Sequence, residues 1–115
     1  MTQIHGEDLP VRMVRIETLP HRYQKDVASA VKTLQRFGAQ RVILYGSLAR
    51  GNERADSDLD ICVEGIPAEN FFSALGECLL HSEHSISVID LQSGYGLLRN
   101  RILQEGLVID DCERV

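Results

Sequence analysis

The chain has 115 residues, 43% of them hydrophobic and 25% charged, the balance of one globular domain with a single core and no room for a second substrate-binding domain. A formal net charge of −5 excludes a broad electrostatic footprint for DNA or RNA. No apolar run reaches membrane-spanning length or forms a signal-type N-terminus, so a cytoplasmic location and no membrane association are expected.

Residues 1–17 read as an N-terminal extension and residues 18–115 as the core of one domain. Within the extension, residues 11–16 carry a short apolar pattern that fits an extra strand, with Arg12 and Arg15 on a solvated edge. Thr18, Leu19 and Pro20 mark a helix start, with Thr18 or a neighbour as cap and Pro20 in the first turn. Val27, Ala30, Val31, Leu34 and Phe37 follow at helical spacing until Gly38 ends the run.

Residues 41–45, Arg-Val-Ile-Leu-Tyr, are a β-branched and aromatic run that stops at a glycine, the pattern of a buried strand entering a tight turn. On that turn stand Gly46 and Ser47. A small residue there lets backbone N–H groups approach an anionic oxygen, and the Ser47 hydroxyl adds a donor. Leu48, Ala49 and Arg50 can begin a short helix that Gly51 ends, and Arg50 is suited either to a phosphate or to a neighbouring carboxylate.

Beyond ten intervening residues, Ser47 is followed by Asp58-Leu59-Asp60, at the start of an apolar run through Val63. Strand alternation sends Asp58 and Asp60 one way and Leu59, Ile61 and Val63 the other, so the two carboxylates make a hard oxygen site of the kind Mg²⁺ takes.

Gly65 and Pro67 then break the chain, and Phe71, Phe72, Leu75, Cys78 and Leu79 form the stripe of a second long helix, with both aromatics expected in the core. His81 and His84 fit a solvated helix end better than a metal site, because no third ligand stands near them in sequence. Cys62, Cys78 and Cys112 are odd in number and lack metal-site spacing, which argues against a disulfide framework or zinc; the first two read as buried thiols.

Residues 85–91 are a third strand with one carboxylate, Asp90, inside it. An acid embedded in a β-branched run needs a partner or a metal, which makes Asp90 a candidate third ligand. A last helix over Leu97, Leu98, Arg101, Ile102 and Leu103 leads through Glu105-Gly106 to an apolar end expected to be exposed. Strands alternating with helices give an α/β fold, with helices packed on one face of a small sheet.

The stretch Leu44-Tyr45-Gly46-Ser47-Leu48-Ala49-Arg50-Gly51, followed by Ser57-Asp58-Leu59-Asp60, resembles the signature of the nucleotidyltransferases related to DNA polymerase beta. Among these it looks most like the minimal nucleotidyltransferases, the small partners of HEPN-domain proteins in toxin-antitoxin pairs. The likeness runs over roughly residues 22–110, including Val88-Ile89-Asp90-Leu91 and the closing Glu105-Gly106.

That resemblance implies a mixed sheet, ATP as the substrate, and Mg²⁺-dependent nucleotidyl transfer in a two-ion site. Gly46, Ser47 and Arg50 would bind the nucleotide; Asp58, Asp60 and Asp90 would be both metal ligands and catalytic residues. It further implies AMP transfer to a tyrosine of a HEPN toxin, in a hetero-oligomer or with self-association. Two alternatives stay open: an antitoxin that acts by binding alone, and transfer to a small molecule of the aminoglycoside kind.

Overall fold

The computed structural model describes residues 12–54, 56–93 and 96–109. Five strands alternate with four helices in the order β1 (Arg12–Val14), α1 (His21–Arg36), β2 (Arg41–Tyr45), α2 (Gly46–Arg50), β3 (Leu59–Glu64), α3 (Ala68–Leu80), β4 (Ile86–Asp90), α4 (Gly96–Glu105) and β5 (Leu107–Ile109). The strands form one mixed sheet, β1-β5-β2-β3-β4. The β1–β5 and β3–β4 pairs are parallel, and β2 runs antiparallel to both of its neighbours.

The helical stripe read from sequence is the one α1 buries: Val27, Ala30, Val31 and Leu34 all lie at or near zero exposure. They pack with Ala74 and Cys78 of α3 against Val42, Leu44, Leu59, Ile61, Val63 and Val88 of the sheet. The opposite face carries a smaller cluster, in which Ile102 and Leu103 of α4 meet Ile43, Cys62, Val108 and Leu91. The expectation of helices on one face therefore holds for α1 and α3 and fails for α4. β3, β4 and β5 run parallel, and the step from β4 back to β5 is opposite in direction to the step from β3 to β4, so two right-handed crossovers put α3 and α4 on opposite faces.

Gly106 makes that return possible. A Cβ there would lie 2.5 Å from both the Ile102 carbonyl oxygen and Ile43 Cγ2, so any side chain would push α4 off the sheet. The apolar end, expected to be exposed, is instead buried: β5 lies between β1 and β2, and Leu107, Val108 and Ile109 are all buried. It pairs on both edges, which removes the unpaired backbone groups that would have made it a partner surface.

Three other expectations are corrected. Phe72 and Leu79 do not enter the core; with Leu80 they form an exposed apolar stripe on α3, Phe72 at 78%. Of the residues expected to cap α1, Thr18 is not the one, since its hydroxyl donates to the Arg15 carbonyl; Pro20, expected in the first turn, is instead the N-cap residue. His84 is not a solvated helix end, since its Nδ1 lies 2.7 Å from a carboxylate oxygen of Asp26, which is itself 2% exposed.

Cys62 and Cys78 are buried free thiols as expected, pushed up to about 12 and about 11 by burial first, so neither is a nucleophile near neutral pH. Cys112 lies outside the described residues. Among the described residues no helix is long and apolar enough to cross a membrane.

Candidate nucleotide and metal site

The site is built where β2 ends. The antiparallel register sets Arg41 opposite Glu64 at one end of the β2–β3 ladder and Tyr45 opposite Asp60 at the other. The Arg41 guanidinium grips Glu64 Oε1 through two nitrogens, at 2.7 Å and 2.6 Å, which pins the register from the far end. As a result Gly46, the next residue after Tyr45, lands against Asp60.

Gly46 has φ +78°, and a Cβ built on it would collide with the Asp60 carboxylate, whose Cγ would lie 3.1 Å away. The glycine read from sequence as a close-approach residue is therefore required twice, by backbone conformation and by space. Ser47 is half-buried beside it, and α2 closes on Gly51 in the left-handed region (φ +81°) as the sequence predicted.

Asp58 and Asp60 enter the site from opposite sides of one boundary. Asp58 is exposed in the loop just before β3, and Asp60 is half-exposed on the strand. The Asp60 carboxyl is held above its ordinary value, first by burial and then by the Asp58 charge, with the Arg50 cation opposing both. Two acids that repel each other on an accessible strand end are stabilised by a hard cation, so this pair fits Mg²⁺.

Arg50 is close enough to influence Asp60 and also pairs with Glu105 of α4 at 3.6 Å. Of the two roles read for it, the carboxylate contact is the one present. Both groups of that pair are over a third exposed, so the contact is weak and does not fix the side chain.

Asp90 is not brought to the pair. In the parallel β3–β4 register it stands opposite Val63, three residues beyond the Asp60–Ser87 pair, or about 10 Å along the strand. Three is an odd step, so the pleat turns Asp90 away from the face of Asp60. Its neighbours Ile89 and Leu91 pack in the cluster on that face.

Asp90 Oδ1 instead accepts the Gln92 N–H at 3.1 Å, a turn cap after the strand. Among the described residues no three His, Cys, Asp or Glu side chains gather where they could hold one ion.

Tyr23 was not singled out in the sequence, although it stands four residues before Val27 on the buried stripe of α1. Its ring is fully buried, and its hydroxyl donates to the carbonyls of Arg54 at 2.9 Å and Ser57 at 3.1 Å. The core thereby holds the loop that carries Asp58. A second anchor is Asp26, whose carboxylate accepts the Glu83 and His84 N–H groups and fixes the turn into β4.

The family model described as polymerase beta, nucleotidyltransferase matches residues 25–113. The fold is similar to a toxin-antitoxin crystal structure with AMP-PNP (TM-score 0.63, 19% identity, 75% of this chain and 73% of that one). It is also similar to a candidate minimal nucleotidyltransferase (TM-score 0.61, 27% identity, 81% of this chain and 94% of that one). Among curated proteins no sequence matches.

With the family model spanning most of its length and the Gly46–Asp60 turn in place, the chain belongs to the polymerase beta nucleotidyltransferase family.

Proposed function

We propose that this protein transfers AMP from ATP to a tyrosine hydroxyl of a HEPN-type toxin in the cytoplasm and so acts as its antitoxin. The observation that carries the reading is the contact between the phosphate turn and the metal-binding acid: Gly46 leaves no space between its own backbone and the Asp60 carboxylate. A triphosphate on that turn is thereby brought to the carboxylates.

Gly46 and Ser47 orient the phosphate tail, and Asp58 and Asp60 are the residues that would hold Mg²⁺. When bound, the ion neutralises phosphate charge and eases departure of pyrophosphate. The acceptor oxygen forms a bond to the α-phosphorus, the bond from that phosphorus to pyrophosphate breaks, and the acceptor proton leaves to solvent. Arg50, released from its exposed contact with Glu105, would meet phosphate.

The fold likeness to a toxin-antitoxin structure with AMP-PNP supports both the nucleotide and the partner. The exposed Phe72, Leu79 and Leu80 of α3 supply apolar area for a protein contact. A second reading, an antitoxin that acts by binding alone, is favoured by one observation, the separation of Asp90 from the acidic pair.

Intact masses decide between them. The protein is incubated with ATP, Mg²⁺ and the candidate toxin, beside Asp58→Ala and Asp60→Ala variants. An AMP-sized increment on the toxin that the variants lack is the expected result. A toxin that stays unmodified in a stable complex would overturn transfer in favour of binding.

A further inference from the structure

The residue that stands beside Asp60 on β4 is not an acid. Across the sheet, Tyr45, Asp60 and Ser87 occupy one row, Tyr45 paired to Asp60 from β2 and Ser87 paired to it from β4. Directly paired residues share a face, so Asp60 is flanked by a phenol and a serine hydroxyl. Tyr45 packs on the cluster that holds Ile43, Cys62 and Val108.

Among the described residues, a divalent ion at Asp58 and Asp60 would therefore find neutral oxygens in the row where a third carboxylate would have to stand. Asp90 cannot supply one, because it lies three residues along β4 and caps Gln92. Hard cations are bound by charge as well as by oxygen count, and Mg²⁺ commonly sits on one or two carboxylates when substrate phosphates complete its shell. An ion that arrives with a triphosphate meets that condition here. An ion on the acceptor side, which depends on protein carboxylates, does not.

Resting on the nucleotide reading above, we infer that this chain holds a single divalent ion, delivered as the metal–nucleotide complex, and that Ser87 is the residue that withholds a second. The site is then built to retain nucleotide more readily than to activate an acceptor. Ser87→Asp would restore the missing carboxylate in the row of Asp60.

The test counts ions. The full chain is saturated with a non-hydrolysable ATP analogue and titrated with Mn²⁺, and bound Mn²⁺ is read by electron paramagnetic resonance, with analogue binding measured in parallel. The wild type is expected to bind one Mn²⁺ per analogue, Ser87→Ala one, Asp90→Asn one and Ser87→Asp two. Two ions in the wild type, loss of an ion in Asp90→Asn, or a folded Ser87→Asp that still binds one would each overturn the inference while leaving nucleotide binding intact. A wild type that binds no analogue would defeat the nucleotide reading, and this inference with it. Should Ser87→Asp not fold, the wild-type and Asp90→Asn counts still decide the matter.

Discussion

Replacing Tyr23 by phenylalanine isolates the contribution of the core to the position of Asp58. The ring fills a fully buried site and stacks against His84 with centroids 4.4 Å apart, and phenylalanine keeps both features. What disappears is one hydroxyl shared between the carbonyls of Arg54 and Ser57.

A single donated hydrogen bond contributes about 1 kcal/mol net, and the two carbonyls border an exposed loop where water can replace the donor. The melting temperature should fall by about 4 °C, the low end for a domain near this size. Well below that temperature the protein remains folded, yet the segment before Asp58 has lost its buried hydrogen bonds to α1 and keeps only the long Arg22–Glu53 contact at 3.9 Å. Misplacement of the proposed metal-binding carboxylate by about 1 Å costs far more than the lost hydrogen bond, so nucleotide transfer should fall by at least about tenfold.

The two effects are measured on the same sample, by thermal unfolding and by transfer rate at 25 °C. A variant that melts 4 °C lower but transfers at the wild-type rate would refute the claim that Tyr23 positions the site. An unchanged melting temperature would refute the hydrogen-bond argument itself.

Three further outcomes follow from the same geometry. Gly46→Ala forces a side chain onto a φ of +78° and into the Asp60 carboxylate. It should lose about 1–2 kcal/mol from backbone strain and nearly all nucleotide affinity, and calorimetry showing wild-type affinity would count against the proposed turn. Asp60→Asn should abolish transfer while melting no lower than the wild type in metal-free buffer at neutral pH. The Asp60 carboxyl is raised, so its stabilising contribution is present only below the ordinary carboxylate range and is lost as pH rises through its folded value.

Asp26 behaves in the opposite sense. Burial pushes its carboxyl up, but the Glu83 N–H, the His84 ring and the His84 N–H outweigh burial and lower it. Its stabilisation is complete above the ordinary carboxylate value and lost as pH falls through the lower folded one. Asp26→Ala should cost about 3 kcal/mol at neutral pH and flatten the acid limb of the melting-temperature profile, and an acid limb identical to wild type would contradict this assignment.

Local order carried much of this protein in its sequence. The apolar stripe of α1, the strand that stops at Gly46, the helix end at Gly51 and the alternation through Asp60 depend on neighbours within a few residues. Periodicity and turn chemistry report such neighbours directly. The same signals identified Gly46 and the Asp58–Asp60 pair before any contact was known.

What the tertiary structure alone decided depends on register between distant segments. Asp90 looked like a third ligand because an acid in a β-branched run demands a partner; its partner proved to be the Gln92 N–H. Only the β3–β4 register shows that Ser87, three residues earlier, is the one beside Asp60. Phe72 faces solvent although its spacing fits the α3 stripe, because a helical period cannot say how wide a face its neighbours cover.

The apolar end became a sheet-interior strand, and Tyr23 and Asp26 became loop anchors, through contacts spanning tens of residues. A residue type fixes which bonds a side chain can make, and the packing of distant strands and helices fixes which of them it does make.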